Sequence, residues 1–388
     1  MEPGVYLHLP FEEYLAADAL GSSDMKTLLR MPADWWYDSK HNPDRIKPDR
    51  EKHFILGSAL HAILLEGEAA YHEQFSVAPD PREHPHAART IEDLKMLLDA
   101  NEIAFQVSKL KKKSDFVELA VEEGLGQYVW DAICDAHNGR VAAGASPLSY
   151  AEHNALLHMS ALVQGHPEIG PGLQGGLSEV SVFWHREDEP DILFRARFDT
   201  LAKTFSADLK SMSNWQGRDP AHAAIRQIVE LEYDIQATLY QEAREELRKF
   251  VKAGKVWTGG EDRRLTSEDD MEKLKAIATS DSWVWIWLFQ QLRDDTGTRP
   301  KAPVLIPRFY RPSSIEEIKQ AVELSKSGDQ SGGFDMMTQA WLKIDRALTN
   351  FRSFRDTLGF DTPWMHVDPN HEILDEQLAA AGLAHKGV

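Results

Sequence analysis

Between residues 177 and 212 the hydrophobic period of this chain is two. "LSEVSVFWHRE" places Val180, Val182 and Trp184 on one side, and "DILFRARFDTLAKT" and "FSADLKSM" alternate in the same way. Successive side chains of an extended strand point to opposite faces, so three such runs predict neighbouring strands of a sheet. The last two are expected to pair as a hairpin.

Helical spacing dominates on either side. "LGSSDMKTLLRMPADWWYDSK" opens with a helix that Ser22 or Ser23 can cap and that ends before Pro32. "FILGSALHAILLEGEAAYHEQF" reads as a second, stronger helix, and Pro79, Pro81 and Pro85 mark a loop. Residues 90–165 read as mostly helical, with breaks at "KLKKKSD" and "NGRVAAGASPLS", and "YAEHNALLHMSALVQGHP" ends at Gly165 and Pro167. A glycine-rich turn then leads into the strands. A long helix is expected from Pro220 to Phe250, with Pro220 suited to its first turn. "DSWVWIWLFQQL" and "KAPVLIPRFYR" predict two more strands around a "DDTGTRPK" turn, and helices return from Ser314. The expected class is α/β, a central mixed sheet flanked by helices, with helical additions. The division is 1–85, N-terminal helices contributing to the core; 86–170, a mostly helical insertion; 171–360, the main sheet core; and 361–388, a tail.

Of the 388 residues 42% are hydrophobic, enough for a substantial core. The formal net charge of −19 by itself opposes duplex binding, which depends on neutralising phosphates, so any basic contact surface must be local. One cysteine, Cys134, excludes an internal disulfide framework and zinc or iron–sulfur sites built from several cysteines. The opening residues hold no basic segment followed by an apolar run, and no apolar stretch is long enough to span a bilayer. The expectation is a cytoplasmic protein without a membrane partner.

"GPGLQG", residues 170–175, matches GxGxxG, but a helix precedes it and a strand follows, the reverse of a dinucleotide fingerprint. No GxxxxGK[ST], GxSxG or HExxH occurs, so nucleotide hydrolysis, serine hydrolysis and zincin chemistry lose their usual signals. In "FSADLKS", Asp208 and Lys210 lie two apart, on one strand face, and the hairpin can bring Asp199 beside Asp208. Two carboxylates and an amine suit a hydrolytic Mg²⁺, which takes oxygen ligands and is often held by one or two carboxylates plus a substrate phosphate. A neighbouring lysine can orient water or act as a compact cation on developing charge. The triplet alone is weak: Asp93–Lys95 and Glu317–Lys319 share it inside helical patterns, and a solvated hairpin would show it too. Its apolar flanks suggest a buried strand, where charge needs a partner or a metal. Other residues join it. Gln236 and Tyr240 are four apart on one helix face, Gly57 and His61 likewise, and Glu179 begins the first strand. "WVWIW" sets Trp283, Trp285 and Trp287 on one face, for the core or for base stacking. The run Lys109–Lys113 could touch a nucleic-acid backbone or simply be solvated.

Taken in order, these segments resemble the PD-(D/E)xK nuclease superfamily, and in its RecB-like branch the phage exonucleases of the RecE (exodeoxyribonuclease VIII) type. The resemblance rests on "MPADWW", "GSALHAILLE", "VQGHP", "EVSVFW", "FRARFD", "DLK" and "YDIQATLY", spanning roughly residues 20 to 360. It implies a restriction-endonuclease-like sheet. It implies that His61, Asp199 and Asp208 ligate Mg²⁺, with Mn²⁺ as a substitute, and with the Leu209 carbonyl as a backbone ligand. Glu179 would hold a second metal or its water, and Lys210 would act on the attacking water. Gln236 and Tyr240 would position the lysine or the scissile phosphate. Gly57, beside Ser58, would leave room for a DNA strand near His61. The proline of the family name is Phe198 here, and residues 85–150 carry no landmark. A single cysteine excludes the branch with a four-cysteine iron–sulfur cluster. The implied activity is exonucleolytic hydrolysis of linear double-stranded DNA in phage-type recombination, by a bacterial or phage-encoded enzyme. A homo-oligomeric ring and a single-strand annealing partner are implied with it, and a basic channel would reconcile the acidic total with DNA. Alternatives are an endonuclease or branched-DNA nuclease on the same fold, or a non-catalytic DNA-binding protein.

Overall fold

The computed structural model describes residues 1–46, 52–106, 110–212, 219–259, 267–281, 283–292, 302–327 and 335–365. The chain begins with β1 (Gly4–Leu7), α1 (Phe11–Ala16), α2 (Ser22–Arg30), α3 (Pro32–Asp38) and α4 (Lys52–His61). A π-helical turn (Ala62–Glu66) leads to α5 (Glu68–Gln74), β2 (Phe75–Val77), α6 (Ile91–Ala100), α7 (Lys113–Glu122) and α8 (Trp130–Ala142). There follow β3 (Ser146–Leu148), α9 (Tyr150–Gln164), α10 (Gly170–Gly175), β4 (Leu177–Arg186), β5 (Glu189–Leu201) and β6 (Phe205–Ser211). The rest is α11 (Pro220–Glu230), α12 (Tyr233–Lys252), β7 (Val256–Thr258), α13 (Glu268–Ala278), β8 (Val284–Gln291), β9 (Val304–Tyr310), α14 (Ile315–Lys326) and α15 (Met336–Leu358).

The alternating runs form the middle of a seven-stranded mixed sheet in the order β7-β1-β4-β5-β6-β8-β9. β4, β5 and β6 are antiparallel neighbours, whereas β6 and β8 run parallel, Asp208 opposite Trp287. Strand periodicity separates two cores. Trp285, Trp287 and Phe289 of β8 join Val182, Phe194 and Phe198 and the α12 residues Ile235, Leu239 and Leu247. Leu288, between them, points the other way, into a cluster with Ala59 and Leu60 of α4 and Leu156, Met159 and Val163 of α9. Helices therefore cover both faces, and each fully buried aromatic or leucine contributes on the order of 1.5–3 kcal/mol. Within the stretch 86–170, Leu94, Leu98, Phe116, Ala120 and Val129 pack on one another as a separate small core, while α9 joins the second main one. The tryptophans of "WVWIW" stack edge to face, and Trp285 and Trp287 are buried, so neither is a stacking platform for bases.

Several local expectations are corrected. Gly21, not Ser22 or Ser23, caps α2, and the Asp24 carboxylate accepts its N–H at 2.8 Å. The single helix around "GSALH" is broken where α4 loosens into the π-turn and Gly67 takes a φ of 93°, a left-handed backbone that suits glycine. The break expected at "NGRVAAGASPLS" starts later: Gly139 lies inside α8, and the stop is Gly144, at φ 107°, whose N–H bonds the Val141 carbonyl. The glycine-rich turn before β4 is the short helix α10. The long helix from Pro220 is two helices, because Glu232 adopts a left-handed φ of 51°; its carboxylate accepts from Arg30 at 2.9 Å. Trp364, placed in the tail, is fully buried against Trp35, Phe354 and Phe360, and residues 366–388 lie outside the described residues. β1 and β7 carry no sequence signal of their own, being four and three residues long. Among the described residues no helix is long and apolar enough to cross a membrane.

Candidate metal centre

The hairpin expected from sequence forms, but its ladder is short. β5 and β6 pair at Thr200–Ala207 and Leu201–Ser206. Beyond these pairs the Asp199 carboxylate accepts the Leu209 N–H at 2.8 Å, so a side chain stands where a strand would offer a carbonyl. On the other side of Asp199 lies β4, where Ser178 pairs with Thr200 and Val180 with Phe198. Glu179 is thus level with Asp199. It has a left-handed φ of 58°, unusual for a glutamate within a strand. Arg197 fixes it there: the guanidinium binds Glu179 Oε2 and donates to the Leu9 carbonyl at 2.6 Å.

α4 brings His61 onto this pair. Its Nε2 lies 2.8 Å from Glu179 Oε1 and 3.4 Å from Asp199 Oδ1, and its Nδ1 is 3.7 Å from Glu66 Oε1. One ligand atom each from His61, Glu179 and Asp199 falls within 4.8 Å of the others. Glu179 Oε1 is buried, and the His61 imidazole is its partner among the described residues. α4 passes close to β6 at Gly57, where a Cβ would lie 3.1 Å from the exposed Ser211 Oγ. Ser58, next to it, is exposed.

Asp208 is turned to other partners. It is 3% exposed, with Oδ1 accepting from Gln236 Nε2 at 2.7 Å and Oδ2 2.7 Å from Lys210 Nζ. Lys210 also sits 4.4 Å over the Tyr233 ring. Leu209, between them, packs into the α4–α9 core. The structure therefore joins His61, Glu179 and Asp199 in one cluster and Asp208, Lys210 and Gln236 in a second, adjoining one. Tyr240 is not free to position a phosphate or the lysine. Its hydroxyl donates to the Arg197 carbonyl at 2.8 Å, and its ring is packed between Phe198 and Trp285. Gln236, likewise, bonds Asp208 rather than Lys210.

The charges explain one another. Burial works to lower the His61 imidazole, but the carboxylates of Asp199, Glu179 and Glu66 outweigh it and hold the ring well above its usual range. Burial raises Asp199, yet His61 and Lys210 bring it below the ordinary carboxylate value. Asp208 is pushed up to about 6 by burial and by the nearby Asp199, with Lys210 opposing. Burial would lower Lys210, but Asp208, Tyr233 and Asp199 keep it protonated. The cluster thus stabilises a cation between Glu179 and Asp199, a place the imidazolium proton fills.

Arg197, Glu66 and Tyr233 were absent from the sequence-derived set. Arg197 had a legible signal, since it precedes Asp199 by two residues on one strand. The contacts of Glu66 and Tyr233 with this centre have no local signature. In the basic run, Lys109 lies outside the described residues, and Lys113 pairs with Asp131 at 2.6 Å. Comparisons with protein-family models, curated proteins and solved structures return no match.

Proposed function

We propose that the chain is a divalent-metal-dependent deoxyribonuclease, acting exonucleolytically on linear double-stranded DNA, as its RecE-type sequence resemblance implies. The observation that carries this reading is the meeting of His61, Glu179 and Asp199 beside the buried Asp208–Lys210 pair. The donor set suits Mg²⁺ or Mn²⁺: half-buried carboxylate oxygens and one imidazole nitrogen, with one ligand atom from each residue within 4.8 Å of the others. His61, on giving up its proton to solvent, would hold the ion together with Glu179 and Asp199, with Asp208 as the adjacent carboxylate. When bound, such an ion activates water and neutralises charge on the phosphate. Lys210, kept protonated, acts as a fixed cation toward the developing phosphate charge and not as a general base. Gln236 sets the orientation of Asp208, and Arg197 sets that of Glu179. Tyr240 holds the β5 backbone from which Asp199 projects.

The test is release of acid-soluble nucleotides from linear duplex DNA with Mg²⁺. Wild type is expected to degrade it, and Asp208→Asn to be slower by roughly 100-fold or more. Equal release by the two proteins would remove the assigned centre. Covalently closed circular duplex should survive; its cleavage would favour the endonuclease reading.

A further inference from the structure

Beyond Tyr240, α12 carries a different set of polar side chains. Gln241, Arg244, Glu245 and Arg248 line a cleft of about 490 Å³, bounded by Trp283 ahead of β8 and Ser314 at the start of α14. The cleft is remote from the candidate metal centre. Asp208 pairs with Trp287, and Trp283 lies four residues earlier, about 13 Å along the strand.

Arg244 is the anomaly. It is 4% exposed, and among the described residues it has no carboxylate partner. Nη2 reaches only the Ile277 carbonyl, at 3.5 Å, and Nη1 is buried without a hydrogen-bond partner. The nearby carboxylates are committed elsewhere. Glu245 accepts from Ile315 N at 2.9 Å and from Gln241 at 3.1 Å, and Asp281 pairs with Arg248 at 2.7 Å. Gln241 Oε1 and Trp283 Nε1 are also buried without partners. Burial and the like charge of Arg248 push the Arg244 guanidinium down to about 9. The Trp283 ring lies 4.7 Å from the guanidinium and gives it a cation–π partner, but no carboxylate among the described residues neutralises it, and a buried cation left so at a cleft calls for an anion. A guanidinium fork matches phosphate oxygens two at a time.

We propose that this cleft binds a small phosphate-bearing anion, free phosphate or a nucleoside monophosphate, with Arg244 as its fork and Arg248 as a second cation. The volume is that of a small-molecule site. Lys249 also lines the cleft but pairs with Glu246 at 2.6 Å, and three cations on one helix, two of them ion-paired, do not make the row that a polynucleotide backbone requires. The inference does not depend on the nuclease reading.

Titration calorimetry with the full chain in EDTA tests it, using inorganic phosphate and deoxyadenosine 5′-monophosphate as separate ligands. Wild type is expected to bind, and Arg244→Met and Arg248→Gln each to bind roughly tenfold more weakly or worse. Arg244→Met removes a buried unpaired charge and should fold, which circular dichroism checks. Should it not, Arg248→Gln decides alone, since the Arg248 side chain is 42% exposed. Equal affinity for the two ligands supports a site for the phosphate group alone; tighter binding of the monophosphate supports one that also holds the nucleoside. If neither ligand binds wild type, or the folded variants bind as wild type does, the proposal is wrong.

Discussion

Asp199 and Asp208 belong to one hairpin and yet carry opposite shifts. Asp199 has the imidazolium and the Leu209 N–H against it, and its carboxylate stays ionised. Asp208 is more deeply buried, feels Asp199, and is held up to about 6 despite Lys210. The pair is therefore poised to be completed by more positive charge, and Lys210 is the only protein cation directly on Asp208 among the described residues. Lys210→Met is expected to slow nucleotide release by roughly 100- to 1000-fold. Lys210→Arg should restore only part, because a planar fork does not replace a compact ammonium over Tyr233. Full activity in Lys210→Met, measured with Mg²⁺ on linear duplex, would take the lysine out of the reaction. The other two D/E-x-K triplets show why residue type alone could not decide. Asp93 accepts the Thr90 N–H at 2.9 Å and Glu317 the Ser314 N–H at 2.8 Å, each closing a capping box at a helix start. The same residues that face a cation in a strand cap a helix elsewhere.

The element that shapes the site is the short ladder between β5 and β6. Had the pairing continued, Leu209 N–H would have bonded a β5 carbonyl and Asp199 would have lost its anchor. α10 braces this hairpin from behind, and it can do so because residue 172 is glycine: a Cβ there would lie 2.2 Å from the Phe205 ring. Gly172→Ala should destabilise the protein by about 1–3 kcal/mol through overpacking. The expected readout is a lower urea midpoint with an unchanged slope, and an unaltered midpoint would show that Phe205 moves aside freely. The split between α11 and α12 matters for a similar reason. It starts α12 anew at Tyr233, so that Tyr233 and Gln236 lie against Lys210 and Asp208. A continuous helical pattern from Pro220 concealed this, since the left-handed turn falls on Glu232, whose carboxylate pairs with distant Arg30, and not on a glycine.

For the whole molecule the net charge of −19 sets two opposed salt responses. Raising NaCl from low ionic strength to about 0.2 M screens self-repulsion and should raise the thermal midpoint, read by calorimetry. The same change should weaken binding to duplex DNA, read by fluorescence anisotropy, because phosphate contacts release counterions. Affinity indifferent to salt would count against a DNA-binding groove. What the sequence by itself determined is local: the period-two runs of β4, β5 and β6, the strands β8 and β9, the α9 helix, and the residue types at His61, Glu179, Asp199, Asp208 and Lys210. Periodicity and residue identity are properties of neighbours along the chain, so they survive being read without a fold. The tertiary structure alone decided the rest. It set β1 and β7 at one edge of the sheet, gave Glu179 its left-handed backbone under Arg197, carried His61 to Asp199, and turned Tyr240 from a phosphate contact into a brace for β5. Each of these rests on contacts between segments far apart in sequence, where the same side chain can serve either role and only its packing partner chooses.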